Sequence, residues 1–363
     1  MLKDINDYLL LQINRFPNLK GRLVKLIDFS FEFRKVAAGN LTRNPAFILH
    51  VMRSKVIAKP GTLGFGAVFN PGVLLENGRI IMVAKGQLVP WFKTGGTQRK
   101  FYLKGKPTVF LLDQKTDIQE KHIITDILDF PEEERWAIED TRMFWWKGRK
   151  MVNHSLVMIG PVDGVDNQVA VKSALSVLEN EARTFRFCGF PQVDFPVQNF
   201  EKNWVYKESE NELLLFYSIS PFRVLRLENE NNLEFKSIIN QPLSSKITNP
   251  GGFGTMVSFS ANPVDFDENY WLMIVHQIAN KISGRCYYHW VVLINKATVI
   301  PERMSSKPVF SGMGARGRTP GVRYISSVLR VDDEILFFAG EGDVHVTVTR
   351  KPVKTIIKDM VDL

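Results

Sequence analysis

The sequence predicts an all-β protein, a five-bladed β-propeller with an N-terminal basic helical extension. Three observations predict it. A strand–turn–strand design recurs five times along the chain. From about residue 64 onward, β-branched and aromatic residues alternate with polar ones, and Gly, Asn and Asp mark the turns. Apolar residues at helical spacing fall in the first 60 residues. The expected division is 1–60 for the helical region, 61–352 for the propeller and 353–363 for a C-terminal tail.

In the first segment, Leu9, Leu10, Ile13 and Phe16 lie at helical spacing, Pro17 interrupts, and Leu23, Leu26, Ile27 and Phe31 follow. Lys20, Arg22, Lys25, Arg34 and Lys35 are interleaved with them. Residues 1–60 hold eleven Lys/Arg against four acids, so +7 of the chain's +9 resides there. Such a segment either packs its stripe on the main domain with its charges solvated, or lies on an anionic membrane surface. Nucleic acid is not an expected partner, because the rest of the chain lacks a basic face with stacking aromatics.

The five hairpins follow in order. The first is AVFNPGVLLENGRIIMVAKG, turning at Glu76-Asn77-Gly78, and the second is DTRMFWWKGRKMVNHSLV, turning at Lys147-Gly148. NWVYKESENELLLFYSIS turns around Ser209 to Asn211; MVSFSANPVDFDENYWLMIVHQI is the fourth; ISSVLRVDDEILFFAGEGD turns at Asp332-Asp333. The polar ends of the second strands fall near Lys85, His154, Ser218, His276 and Glu341, roughly 60–70 residues apart. Third strands follow at 108–113, 169–177, 223–228 and 288–294. Repeated units that bury their faces on neighbours close radially and remove exposed sheet edges. A two-sheet sandwich is the alternative, and it requires no such regular recurrence.

The remaining composition is that of an ordinary globular protein, with 45% apolar and 23% charged residues. No apolar run approaches the roughly 18 residues that span a bilayer. MLKDINDYLL places acids before its apolar stretch and does not read as a secretory signal. Cys188 and Cys286 cannot build a disulfide framework or a Cys-rich zinc site, so the expected setting is cytoplasmic, either free or peripheral at the inner face of the membrane. GMGARG at 312–317 fits G-x-G-x-x-G but runs into Thr319-Pro320-Gly321 instead of a helix, which argues against a dinucleotide site. Trp145 and Trp146 should point to opposite faces of one strand, and His154 and His289 read as core or edge histidines.

In a propeller the first strands of all blades line a central channel, so functional side chains converge from distant sequence positions. The residues at strand starts and ends in the repeats are Asn70, Lys85, Glu139, Asp140, Arg142, Lys202, His276, Asp343 and His345. Carboxylates, cations and an amide without cysteine suit sugar hydroxyls and a phosphate better than a transition metal.

FNPGVLLENGRIIMVAKG, IEDTR and the closing AGEGDVHVTV resemble the signature segments of glycoside hydrolase family 130, five-bladed β-mannoside phosphorylases with related β-mannosyltransferases. The resemblance spans about residues 64–350 and leaves the basic N-terminal region outside. It implies Asp140 as proton donor and Asn70, Lys85 and Asp343 as sugar-holding residues, beside which Glu139 and His345, from the same strand ends, are further substrate-binding candidates. It implies Arg142, Lys202 and His276 as the groups that hold a phosphate. Thr141 stands where the family has proline, and Lys85 where an arginine is usual, which exchanges a bidentate fork for a point charge.

The implied reaction is a single displacement with inversion, Asp140 serving as acid in one direction and base in the other. The third blade resembles biosynthetic relatives, so the expected function is β-mannosyltransferase-like glycan synthesis. Its partners would be a glycan acceptor and a sugar donor carrying phosphate, and no cofactor or metal is expected. Two alternatives stand: a β-mannoside phosphorylase or hydrolase releasing mannose 1-phosphate or mannose, for which Glu139 or Asp343 could activate water, and a non-catalytic glycan-binding propeller.

Overall fold

The structure is a computed structural model that describes residues 54–87, 105–131, 136–162, 165–281, 284–312, 315–317, 319 and 321–363. The helical extension and its basic stripe therefore lie outside the described residues, apart from the last few positions of 1–60. Those positions begin the fold: Lys55–Ala58 forms β1.

The first blade holds β2 (Ala67–Glu76), β3 (Arg79–Gln87), β4 (Gly105–Leu112) and β5 (Ile118–Ile123), in order from the axis outward. Strand β6 (Asp126–Leu128) then runs along the outer edge of the second blade, formed by β7 (Trp136–Trp146), β8 (Arg149–Val162), β9 (Val165–Glu179) and β10 (Thr184–Gly189). The third blade likewise takes β11 (Gln192–Val193) onto its outer edge, after β12 (Val205–Ser209), β13 (Glu212–Ile219), β14 (Phe222–Asn229) and β15 (Glu234–Gln241). The fourth consists of β16 (Val257–Asp265), β17 (Tyr270–Lys281), β18 (Gly284–Asn295) and β19 (Pro301–Ser305), with β20 (Phe310–Ser311) added to β18. The fifth holds β21 (Arg323–Val331), β22 (Glu334–Glu341) and β23 (His345–Pro352), and β1 is its outermost strand. The five-bladed propeller is thus observed, and the sandwich is excluded.

Two boundaries differ from expectation. Lys55–Ala58 belongs to the propeller because its pairing with β23 satisfies the outer edge of the last blade. The C-terminal tail is also built in. A short helix, Val353–Lys358, leads to β24 (Met360–Asp362), which pairs with β19 of the fourth blade and buries Ile356 and Met360. Among the described residues no helix is long and apolar enough to cross a membrane.

The core is divided among the blade interfaces. Val83, Ile138 and Leu156 pack between the first and second blades, and Phe144, Tyr206 and Leu215 between the second and third. Phe216 and Trp271 join the third to the fourth, Ile274 and Phe337 the fourth to the fifth, and Val68 and Phe338 the fifth to the first. The sequence builds these faces by strict alternation, so Trp145 contributes to the first–second interface and Trp146 to the second–third. The hairpins turn as their residues dictate. Asn77-Gly78, Lys147-Gly148 and Glu210-Asn211 each place two successive residues at positive φ, the type I′ signature.

Candidate active site

Four innermost strands break register at the same level: β2 between Phe69 and Gly72, β7 between Glu139 and Arg142, β16 between Phe259 and Ala261, and β21 between Ile325 and Ser327. A bulge re-aims a side chain and adds twist. In β2 and β7 it places Asn70 (φ 53°) and Asp140 (φ 51°) in the left-handed region, and the Asn70 amide Nδ2 donates to Asp140 Oδ1 at 2.7 Å. Asp343 also sits at positive φ (55°), after Gly342, and its Oδ2 accepts from Thr319 Oγ1 at 2.8 Å.

These three residues line one cavity of about 540 Å³ at the end of the channel, together with Glu139, Lys202 and His276. The sequence-derived set is thus largely brought together, though not all in the expected roles. The Lys85 side chain is buried, with Nζ 2.6 Å from Glu139 Oε1 and over the Phe69 ring; it lies behind the cavity and neutralises Glu139. His345 does not line the cavity; it pairs with Glu341 in the β22–β23 ladder, and burial lowers its imidazole pKa. Arg142 does not line it either.

Arg142 is 1% exposed, because its side chain runs inward across the channel. Its Nε donates to the Ser260 carbonyl, its Nη1 to the Asp140 carbonyl at 2.8 Å, and its Nη2 to Asn203 Oδ1 at 3.3 Å and to the Tyr324 hydroxyl. It therefore braces the Asp140 backbone and ties three other blades to it, instead of presenting a free fork to an anion. His276 is also recast. Burial, with Lys202 and Arg142 nearby, holds its pKa down at about 3, and its Nδ1 lies 2.8 Å from Ser260 Oγ, so it offers a neutral ring edge and no positive charge. His154 and His289 are core histidines as expected: His154 Nε2 meets Ser176 Oγ at 2.9 Å, and His289 Nε2 accepts from the Ile325 amide.

Thr141, where the sequence resemblance implied a proline, is buried and donates its hydroxyl to the carbonyls of Asn70 (2.6 Å) and Val83 (3.1 Å). The threonine thus supplies a cross-blade tie that a proline could not make.

The cavity contains residues that the sequence reasoning missed. Arg285 and Tyr287 alternate along β18 and face the cavity from the fourth blade. Lys202 and Arg285 are exposed and make no ion pair with a carboxylate among the described residues. Tyr287 stacks on His276 with ring centroids 5.5 Å apart; burial and the fields of Asp140 and Asp343 push its pKa up to about 12, so it is a neutral hydrogen-bond donor. Tyr324 donates to Asn203 Oδ1 at 2.9 Å and is likewise raised by burial. Period-2 alternation in Arg285-Cys286-Tyr287-Tyr288-His289, paired with the strand that carries His276, was the available signal.

One wall of the cavity therefore carries three carboxylates, Asp140, Asp343 and the Lys85-paired Glu139, with an amide. The other carries two exposed cations with a phenol and a neutral imidazole. Such a site can hold a polyhydroxy ring beside an anion and exchange a proton at Asp140.

No family model matches the chain, and no curated protein matches it. Solved structures do. A β-1,2-mannobiose phosphorylase from Listeria innocua, in complex with β-1,2-mannobiose, superposes with a TM-score of 0.56 at 13% identity, over 81% of this chain and 91% of that one. A mannose phosphorylase from Leishmania mexicana in complex with phosphate ion gives a TM-score of 0.53 at 10% identity, over 87% and 94%. A structure from the glycoside hydrolase family 130 work on hydrolases that target β-1,2 mannosidic linkages in Candida mannan gives 0.56 at 11% identity, over 79% and 85%. At these identities the likeness is one of fold.

Proposed function

We propose that this propeller is an inverting β-mannosyl-transferring enzyme that moves mannose between a sugar hydroxyl and a phosphate, with Asp140 as its acid and base. The observation that carries the reading is the bulged Asp140, fixed by Asn70 across a cavity from the exposed cations Lys202 and Arg285. Phosphorylases among the solved structures of this fold support it.

In the breakdown direction a phosphate oxygen, held by Lys202 and Arg285, attacks the anomeric carbon. The bond to the leaving sugar oxygen breaks, that oxygen takes the electron pair, and Asp140 supplies its proton directly or through a sugar hydroxyl. Because Asn70 donates to Oδ1, the proton resides on Oδ2. In synthesis the Asp140 carboxylate takes the acceptor proton and phosphate departs. Lys85 holds Glu139 as an ion pair, which removes that carboxylate from activating water.

The test pairs two incubations of the purified protein. β-1,2-mannobiose with inorganic phosphate should yield mannose 1-phosphate, and Asp140→Asn should lower the rate by about 10²–10⁴ while leaving the fold intact. Absence of any product, with mannobiose still bound, would leave only a sugar-binding propeller.

The +7 segment favours a second reading of the same site, synthesis from nucleotide-linked mannose at an anionic surface. Acceptor extension from a nucleotide-mannose in the parallel incubation would select it. Removing residues 1–53, which spares β1, should then abolish sedimentation with phosphatidylserine vesicles; unchanged sedimentation would remove the membrane from the account.

A further inference from the structure

Asn203 lies just ahead of β12 in the third blade, between the cavity and the buried Arg142, and its amide nitrogen takes no part in the steps above. We propose that Asn203 is a phosphate-binding residue whose Nδ2 donates to the attacking phosphate beside Lys202, and that Arg142 and Tyr324 are the positioning residues that aim it. The inference rests on the function proposed above and adds a residue to its anion site.

The orientation of the amide follows from what each neighbour can do. A guanidinium has donors only, so the Asn203 atom that meets Arg142 Nη2 at 3.3 Å is the oxygen. The Tyr324 hydroxyl accepts from the same Nη2, which leaves its one proton for Asn203 Oδ1 at 2.9 Å. With Oδ1 engaged twice, Nδ2 occupies the other branch of the amide. It is not buried, and nothing among the described residues accepts from it. Because Asn203 is half-buried in the wall of the central cavity, those two N–H groups are left for a ligand.

The backbone marks the same place. Asn203 has φ 67°, in the left-handed region that Asn70 and Asp140 occupy on the first two blades. Three successive blades thus hold a short polar residue in a sparsely populated conformation around one cavity, and such positions cluster at functional sites.

Charge decides what Nδ2 meets. Asp140 and Asp343 belong to the acidic wall, whereas Lys202, next to Asn203 in the chain, brings an exposed ammonium to its side of the cavity. Arg142 makes no ion pair with a carboxylate among the described residues and gives its donors to carbonyl, amide and hydroxyl oxygens. A buried positive charge therefore stands one hydrogen bond behind the amide, and its field, with that of Lys202, reaches His276. Polarised in this way, the Nδ2 donors suit an anionic oxygen better than a sugar hydroxyl.

Isothermal titration of the full chain with inorganic phosphate and, separately, with β-1,2-mannobiose tests this at constant ionic strength. Asn203→Asp keeps the shape of the side chain and an acceptor for Arg142 and Tyr324, but puts an oxygen where Nδ2 stands. Phosphate should then bind about a hundredfold more weakly, with mannobiose affinity within about twofold of the unaltered protein. Tyr324→Phe, which leaves the amide in place and removes one of its two guides, should weaken phosphate by about fivefold. Melting temperatures report the folding of both; if Asn203→Asp does not fold, Tyr324→Phe decides, and undiminished phosphate binding there would overturn the inference. Undiminished phosphate binding in a folded Asn203→Asp would overturn it too, as would equal losses for phosphate and mannobiose, which would put Asn203 on the sugar. Each of these leaves the central reading standing. The expected losses in a protein that forms no mannose 1-phosphate would uphold the anion site and remove the reaction. No phosphate binding by the unaltered protein would overturn both.

Discussion

Arg142 shows how a charged side chain can be wholly taken up in joining the blades of a ring. A guanidinium held off water needs every donor placed, and three carbonyl, amide or hydroxyl partners from other parts of the ring supply that here. The buried imidazoles follow the same logic with the opposite outcome: His154 and His276 are held near a pKa of 3 and His289 well below its ordinary value, all chiefly by burial. Unfolded, each takes a proton as pH falls through about 6.5, while folded it stays neutral, so acid favours the unfolded chain. Stability should be flat above pH 7 and fall between pH 6.5 and 5, each imidazole approaching about 1.4 kcal/mol per pH unit. Denaturant midpoints measured across that range check it, and His154→Gln should remove one proton from the slope. Asp140, Asn70 and Asp343 were legible in the sequence because short motifs at strand ends carried them. The depth of Arg142 and the lost charge of His276 were not, since burial arises only when the ring assembles around them.

At the scale of the strand, the bulges decide what the site can be. Each shortens the ladder of an innermost strand, and in return two polar side chains turn toward the axis. Gly72 is the spacer that allows this between the first two blades: a Cβ there would lie 2.9 Å from both the Cα and the backbone nitrogen of Arg142. Gly72→Ala must push β2 away from β7, which separates Asn70 from Asp140. We expect a loss of about 1–3 kcal/mol in unfolding free energy, with a proportionally larger fall in turnover than in sugar affinity. A variant with wild-type melting and rate would show that the close approach does not matter. The main strands were readable from alternation and from turn pairs such as Asn77-Gly78. The edge strands β6, β11 and β24 were not, because two or three residues carry no period and their pairing partners lie in other parts of the chain. Arg285 and Tyr287 escaped for a related reason: the apolar pattern marks the third strand of that blade at 288–294, whereas the strand begins at Gly284 and carries both residues ahead of that pattern.

For the molecule as a whole, closure depends on a strand from the beginning of the chain. Ile57 and Ala58 are buried against the last blade, and β1 covers what would otherwise be an open β23 edge. Relative to a chain lacking residues 1–53, one lacking 1–59 should lose roughly 3–5 kcal/mol in burial and ladder hydrogen bonds and aggregate more readily. Comparing the two truncations by melting and light scattering checks this, and equal behaviour would mean that the ring holds without its latch. That arrangement also sets a timetable for biosynthesis. Lys55 pairs with Val348, roughly 290 residues downstream, and at about 5–20 residues per second a ribosome needs roughly 15–60 s to deliver the partner. Until then the nascent polypeptide holds four blades and no circle. The central cavity, which draws on the first blade and the last, comes into being only after the fifth blade has been made.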